Sequence, residues 1–198
     1  MKFGGTSLDS TEKIKNIAKI VEKESKINKI VVVLSAMAGV TNKLQNYLDD
    51  IEAEPSRESD LVLTSGEQIT IGLLSSILNK RRIKSIPLLG WQIPIITDEY
   101  HEKAKILNIN NNSIKKYFKE FDVIVLAGFQ GISTEGHITS LGRGGSDTTA
   151  VAIATAIKAF RCDIFTDVDG VFTADPNIEP KAKKIPKVSF EEMLEMSS

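Results

Sequence analysis

Two short runs of apolar residues constrain the fold of this chain more than any other feature of its sequence. Neither Ile30–Leu34 nor Val123–Ala127 contains a polar side chain. A strand with one solvated face alternates apolar and polar residues, whereas a strand buried on both faces is apolar throughout. The two runs therefore predict strands of a largely parallel sheet that is covered on both sides. Residues 83–89 and 163–166 are interpreted as two further strands.

The segments between these strands repeat apolar residues at the three- and four-residue spacing of a helix. Asp9 and Glu12 stand in the positions of a capping box before the first such segment, and Ser189 and Glu192 do so before another. No clear pattern covers residues 92–112. The predicted helices lie at residues 10–25, 41–51, 69–78, 112–118 and 148–159, with a polar connector at 54–59 and a hairpin at 128–141.

The alternation of strands and helices predicts an α/β fold, a three-layer αβα sandwich with a mostly parallel central sheet. The 198 residues suit one domain, because the sequence contains no internal repeat, low-complexity tract or linker. Apolar residues make up 41% of the chain and charged residues 26%, which is ordinary for a globular protein that buries a sizeable core.

The charge, the cysteine content and the distribution of apolar residues argue against several classes of protein. The formal net charge is -1, so no basic excess points to nucleic acid as a partner. No apolar run approaches the ~18 residues of a membrane helix, and the glycines of the first residues do not fit a signal peptide. The single cysteine, Cys162, cannot form an intramolecular disulfide and is expected to be inert packing in an apolar strand. We therefore expect a cytoplasmic protein without a membrane partner.

The strongest motif is the loop of residues 142–150, which carries Gly142, Gly144 and Gly145 around an arginine and precedes an apolar helix. Arg143 offers a bidentate fork to a carboxylate or phosphate, and the N-terminus of the following helix favours an anion. A purely structural turn is the less favoured interpretation of this loop. The sequence therefore predicts an anion-binding loop that precedes a helix.

Two further motifs lie at predicted turns near the beginning of the chain. Residues 2–7 place Lys2 before a pair of glycines and a helix, which suits phosphate binding, although the spacing alone favours a simple turn with an exposed lysine. Residues 35–42 follow the first apolar strand, at the end where open α/β sheets bind ligands. A strand-to-helix turn with a capping hydroxyl is the alternative there.

Two acidic motifs complete the set. Glu67 follows a glycine turn and is interpreted either as a ligand for an ammonium group or as a charge that favours the start of a helix. Residues 166–176 follow a predicted strand and carry Asp167, Asp169 and Asp175, without the ligand spacing or final glutamate of a calcium-binding EF-hand loop. A nucleoside-binding loop is favoured over a plain acidic turn.

The order and spacing of these five motifs resemble those of aspartokinases, and the resemblance covers nearly the whole chain, including Gly128-Phe129-Gln130-Gly131. It implies an amino-acid kinase (carbamate kinase-like) fold over residues 1–198. It also implies an enzyme that uses ATP and Mg²⁺ to phosphorylate the side-chain carboxylate of L-aspartate. The product would be 4-phospho-L-aspartate, in the first step toward lysine and diaminopimelate, threonine and methionine.

The resemblance also implies a role for particular residues. Lys2 would contact the transferring phosphoryl group and be oriented by Asp147, and these two are the implied catalytic residues. No dedicated metal ligands are implied. Aspartate would be bound by Ser35, Thr41, Glu67, Arg143 and Ser146, and ATP by Lys2, Phe3, Gly4, Gly5, Ser7, Thr166, Asp167, Phe172 and Asp175.

The chain departs from the resemblance at both of its ends. Only Met1 precedes Lys2, so Lys2 is expected to be held loosely, and neither a second phosphate-contacting lysine nor regulatory ACT domains follow Ser198. Feedback control is therefore not expected of this chain. A nucleotide-binding remnant or subunit with weak or no activity is the alternative to a working kinase. A homo-oligomer and completion of the site by another chain both remain open.

Overall fold

The structure is a computed structural model that describes residues 1–166, 170, 172–174 and 178–187. The chain divides into two compact units, Met1–Phe165 and Thr166–Ser198. The helix predicted from Ser189 and Glu192 lies outside the described residues. The helices are α1 Thr11–Ser25, α2 Val40–Asp50, α3 Arg57–Leu63, α4 Ser65–Lys80, α5 Asn111–Tyr117 and α6 Gly145–Ala156, with a 3₁₀ turn at Gly5–Ser7. The strands are β1 Lys2–Phe3, β2 Ile30–Leu34, β3 Ser85–Leu88, β4 Ile95–Thr97, β5 Ile106–Ile109, β6 Val123–Ala127, β7 Gln130–Ser133, β8 Ile138–Ser140 and β9 Ile164–Phe165.

The first unit contains a five-stranded sheet in the order β3-β6-β2-β1-β9. Every pair of neighbouring strands in this sheet is parallel. The two apolar runs are its centre, because β2 and β6 pair along their whole length, from Ile30 opposite Val123 to Leu34 opposite Ala127. The predicted parallel sheet is confirmed.

Side chains of β2 point alternately to two separate cores. Val32 and Leu34 pack with α1 and α4 on one face of the sheet. Val31 and Val33 pack on the other face with Ile114 of α5 and with residues of α6. Since a strand buried on both faces needs apolar residues at every position, the uninterrupted run and the three layers have the same cause. The α/β fold class is confirmed.

A second sheet, in the order β5-β4-β7-β8, was predicted only in part. The hairpin expected at residues 128–141 is present as β7 and β8, which pair antiparallel. β4 and β5 arise in the stretch that showed no clear pattern, and β4 also pairs parallel with β7. Strands of three or four residues are too short for their alternation to be recognised.

Three local predictions are wrong. The connector at residues 54–59 contains the start of α3, where Ser56 and Ser59 form reciprocal capping hydrogen bonds. The cap of α1 is Ser10, which accepts a hydrogen bond from the Lys13 N–H, while Asp9 forms an ion pair with the Lys13 side chain. Cys162 is exposed rather than packed in a strand.

The first strand holds Lys2 firmly, contrary to the expectation of a loose end. β1 lies between β2 and β9, with Lys2 opposite Val33 on one side and Ile164 on the other. The Lys2 residue is 7% exposed. Phe3 is buried in the core below it, and its ring stacks on Phe165 with centroids 4.5 Å apart.

One described helical stretch, Arg57–Lys80, is long and apolar enough by composition to cross a membrane. It comprises α3 and α4. Half of its most apolar window is buried inside the protein, as in the core helix of a globular fold. Leu74 and Leu78 of α4 belong to the core cluster on one face of the central sheet.

Replacement of Phe3 by alanine should destabilise the protein strongly, because it opens a cavity beside Phe165 in the core. Removal of a buried phenylalanine side chain typically costs about 3–5 kcal/mol of unfolding free energy. Phe160→Ala is the matched control, since Phe160 is fully exposed and its loss should cost little. Guanidinium unfolding of the three proteins measures the difference. Equal midpoints for the two variants would contradict the placement of β1 in the core.

Candidate active site

A cleft of about 640 Å³ lies at the carboxyl edge of the parallel sheet. Residues that directly follow β1 and β2 line it, together with the loop before α6. This edge is where open α/β sheets bind their ligands, because strand ends and helix N-termini converge there. The lining residues are Lys2, Gly4, Gly5, Ser35, Thr41, Asn42, Gln45, Leu63, Glu67, Glu102, Phe129, Gly142, Arg143, Gly144, Gly145, Ser146 and Asp147.

An ion pair connects Lys2 with Asp147 across the cleft. Lys2 Nζ lies 2.8 Å from Asp147 Oδ1, and the two side chains are 9% and 47% exposed. Asp147 Oδ1 accepts no hydrogen bond of acceptable geometry within the described chain, so the contact is ionic rather than a directed hydrogen bond. The pair fixes the position of the ammonium group, and Asp147 lies in the first turn of α6, where the helix dipole favours a negative charge.

The loop before α6 is shaped by glycines with left-handed backbone conformations. Gly142 has φ 72° and Gly144 has φ 74°, which residues with a Cβ rarely adopt. Gly145 packs against Phe129 so closely that an added Cβ would lie 2.9 Å from the Phe129 ring. Arg143 stands between the first two glycines, exposed and without an ion pair in the described part of the chain. Its guanidinium is therefore available to an anionic ligand.

Glu67 is a buried carboxylate in the first turn of α4 and is only 2% exposed. Its Oε1 accepts a hydrogen bond of 3.0 Å from the Ala36 N–H, while Oε2 is buried without a hydrogen-bond partner in the described chain. Burial raises the pKa of the Glu67 carboxyl to about 7, opposed in part by hydrogen bonds from the backbone N–H groups of Ala36 and Glu67. The unpaired oxygen and the raised pKa mark a position that a bound cation would stabilise.

The cleft brings together most residues that the resemblance implied. Phe3 is an exception, because its side chain lies in the core, and Ser7 does not line the cleft. Thr166 and Phe172 belong to the second unit, where Phe172 forms a backbone bridge with Lys184. The implied residues that line the cleft are Lys2, Gly4, Gly5, Ser35, Thr41, Glu67, Arg143, Ser146 and Asp147. Asp167 and Asp175 lie outside the described residues.

Several lining residues had no assigned role in the sequence analysis. Gln45 of α2 and Leu63 of α3 reach the cleft only through the packing of their helices. Phe129 and Glu102 have left-handed backbones, with φ of 68° and 62°, in loops whose path a single sequence does not reveal. For residues with a Cβ, such conformations are strained and occur frequently at functional sites. Only Phe129 had a signal, since it lies between two glycines of a motif that resembles the family.

Comparison with known proteins gives a consistent answer. The sequence profile of the amino acid kinase family matches residues 1–198. An aspartate kinase from Pseudomonas putida is 50% identical over 199 residues, which cover 100% of this chain and 48% of that protein. The crystal structure of E. coli aspartokinase III in complex with aspartate and ADP (R-state) superposes with a TM-score of 0.83 at 26% identity, covering 99% of this chain and 55% of that one. The crystal structure of aspartate kinase from Synechocystis superposes with a TM-score of 0.82 at 41% identity. The match covers 99% of this chain and 33% of that one.

With its cleft at the carboxyl edge of a parallel sheet and a profile match over its whole length, this chain belongs to the amino acid kinase family. It is similar to aspartokinases in both sequence and structure. The chain spans about half the length of the curated relatives it matches, 48% of one and 49% of another.

Glu67 should make the stability of the protein fall as the pH rises. The unfolded carboxyl ionises near pH 4.5, whereas the folded one keeps its proton to about pH 7, so ionisation between these values favours the unfolded state. Relative to a Glu67→Gln variant, the wild type should lose about 3 kcal/mol of unfolding free energy between pH 4.5 and 8. Denaturant unfolding at several pH values measures this difference.

Glu58→Gln is the control for this measurement. A hydrogen bond from Arg57 lowers the pKa of the exposed Glu58 carboxyl, so the difference between that variant and the wild type should run in the opposite direction. If the unfolding free energies of the wild type and Glu67→Gln differ by the same amount at every pH, the pKa of Glu67 is not raised by folding.

Proposed function

We propose that this chain is the catalytic part of an aspartate kinase, which transfers the γ-phosphoryl group of ATP to the side-chain carboxylate of L-aspartate. The observation that carries the proposal is the charge pattern of the cleft. It holds one exposed guanidinium, one ammonium fixed by an ion pair and one buried carboxylate with an unpaired oxygen. Aspartate has two carboxylates and one ammonium, and each group has a counterpart of opposite charge in this cleft.

The acceptor would be held by its α-amino-acid end. Arg143 is placed to form two parallel hydrogen bonds with the α-carboxylate, because a guanidinium matches a carboxylate in geometry. Glu67 Oε2 would accept from the α-ammonium, which compensates the burial of this charged group. Hydroxyl groups of Ser35, Thr41 and Ser146 lie in the same cleft and can complete the hydrogen bonds of the acceptor.

The chemistry then needs positioning more than acid–base catalysis. The side-chain carboxylate of aspartate has a reference pKa of about 3.9, so it is already an ionised nucleophile at neutral pH. One of its oxygens bonds to the γ-phosphorus while the bond between that phosphorus and the bridging oxygen breaks, and ADP leaves with the electron pair. Lys2 would neutralise the charge on the transferring group, and Asp147 would keep the lysine in place.

Nucleotide binding is proposed for the glycine pair after β1 and for residues 166–175. The solved E. coli relative was crystallised with aspartate and ADP, which supports ATP as the phosphoryl donor. Thr166, Asp167, Phe172 and Asp175 remain predictions for the nucleoside pocket. Among the described residues no group of three or more His, Cys, Asp or Glu side chains could hold a metal ion. Mg²⁺ is proposed to be held mainly by the nucleotide phosphates, as is usual in phosphoryl transfer.

A weakly active or inactive nucleotide-binding remnant is the alternative. One of its arguments was a loose Lys2, and the position of that residue between β2 and β9 speaks against this argument alone. A cytoplasmic location and either a homo-oligomer or a second chain at the site remain part of the proposal. A coupled assay of ADP formation with a panel of acceptors is the deciding test. Turnover that depends on aspartate and is lost in Lys2→Ala supports the kinase, and turnover with another acceptor alone refutes it.

Arg143→Ala should weaken aspartate binding about 10- to 150-fold, the range expected when a charge-assisted hydrogen bond is lost. The affinity for ATP should change little, because Arg143 is proposed to contact only the acceptor. Isothermal titration calorimetry with each ligand gives both numbers. Arg57→Ala is the control, since Arg57 is exposed and forms an ion pair with its neighbour Glu58. Unchanged aspartate affinity in Arg143→Ala would overturn the assignment.

Aspartate binding should release about half a proton at pH 7, because the Glu67 carboxyl is about half protonated there and a bound ammonium favours its ionised form. The release should grow toward pH 6 and vanish toward pH 8.5. Calorimetry in buffers of different ionisation enthalpy measures it. Glu67→Gln should abolish the buffer dependence, and Glu58→Gln should keep it. A buffer-independent enthalpy for the wild type would show that Glu67 does not meet the ammonium group.

A further inference from the structure

A second buried carboxylate lies behind the cleft and has no role in the proposed chemistry. Asp60 of α3 is 0% exposed and does not line the cleft. Its Oδ1 accepts hydrogen bonds from the Ser140 hydroxyl at 2.6 Å and from the Glu102 N–H at 3.0 Å, and its Oδ2 lies 2.6 Å from His101 Nδ1. Because a carboxylate only accepts hydrogen bonds, this contact assigns the His101 proton to Nδ1.

These three partners come from two segments that meet beside the arginine loop. Ser140 is the last residue of β8, three positions before Arg143. The backbone carbonyl of Ser140 also accepts a hydrogen bond from the Ala104 N–H, at 2.9 Å. A Cβ added to Gly142 would lie 3.0 Å from the carbonyl oxygen of Glu102, so the two backbones are in direct contact. Asp60 Oδ1 therefore holds both sides of the contact that supports the loop.

The backbone of the turn supports this interpretation. Glu102 has φ 62°, a left-handed conformation that is strained for a residue with a Cβ and persists only where the surroundings fix it. Its N–H donates a hydrogen bond to Asp60 Oδ1, and Glu102 is one of the residues that line the cleft. A carboxylate that served only to stabilise α3 would bond within its own helix. The three hydrogen bonds of the Asp60 side chain instead lead to residues 101, 102 and 140.

We propose that Asp60 is a positioning residue, which sets the place of Arg143 through Ser140 and the turn at Glu102. The inference rests on the proposed function, because it takes Arg143 as the group that binds the acceptor. Loss of the hydrogen bond between Asp60 and Ser140 should leave the fold intact, free the arginine loop and weaken acceptor binding more than nucleotide binding.

Ser140→Ala is the test variant, since Asp60→Ala would leave three groups without their partner and could prevent folding. Thr139→Val is the matched control. Thr139 is the neighbouring residue on β8, is also 0% exposed and bonds the Thr97 hydroxyl at 2.7 Å, with no link to the arginine loop. Both variants remove one buried hydroxyl, and Ser140→Ala should lower the thermal stability somewhat more, because its hydroxyl bonds a carboxylate. Only Ser140→Ala should raise the KM for aspartate, by about 2- to 10-fold, with the KM for ATP and kcat nearly unchanged.

Amide hydrogen exchange tests the anchor without any ligand. The N–H groups of Gly145 and Asp147 bond to the carbonyls of Gly142 and Gly144 within the loop. Their exchange should be about 2- to 10-fold faster in Ser140→Ala than in Thr139→Val. Equal exchange in the two variants overturns the proposal, and so does an aspartate KM that rises equally in both.

The two proposals fail in different ways. If Arg143→Ala leaves aspartate affinity unchanged, the proposed acceptor site is wrong, whereas the exchange experiment still decides whether Asp60 fixes the loop. If Arg143→Ala weakens aspartate binding while Ser140→Ala behaves as Thr139→Val in both measurements, the acceptor site stands and the positioning role of Asp60 is refuted.

Discussion

The ion pair between Lys2 and Asp147 joins the first strand of the central sheet to the first turn of α6, and the proposed chemistry depends on this junction. β1 has only two residues, yet it pairs on both sides, so the lysine backbone is fixed by the sheet and its ammonium by the carboxylate. A cation that is already ordered loses little conformational entropy when a phosphate arrives. In the proposed function, the glycine pair after β1 would let the backbone approach a phosphate closely.

The two buried carboxylates of the first unit, Asp60 and Glu67, differ in how their burial is compensated by hydrogen bonds. Asp60 has three hydrogen-bond partners from other segments, so its charge is compensated within the protein and it links those segments. Within the described residues Glu67 has one hydrogen-bonded and one unpaired carboxylate oxygen, and burial raises its pKa to about 7. The first arrangement stabilises a fixed geometry. The second arrangement is destabilising, and the cation of the proposed acceptor would relieve it.

The fold could be predicted where the sequence pattern was long and had one physical cause. The runs at Ile30–Leu34 and Val123–Ala127 predicted the parallel sheet, because only a strand covered on both faces excludes polar residues throughout. Of the second sheet only the hairpin of β7 and β8 could be predicted, since β4 and β5 have three and four residues and β4 pairs with β7 across a long separation in sequence. The prediction that Lys2 is held loosely was wrong for a related reason. A strand of two residues has no recognisable pattern, and β1 is held in place by its two neighbouring strands.

The sequence by itself determined the chemical groups of the candidate site: an arginine between glycines, a lysine before a glycine pair, and an acidic residue at the start of a helix. Glycine spacing and charge are local properties, so they can be read along the chain. The tertiary structure decided which of these groups share one cleft, that Phe3 lies in the core instead, and that Asp60 stands behind the arginine loop. Those outcomes depend on strand order and on burial, which are set by contacts between residues far apart in sequence, and no local pattern encodes them.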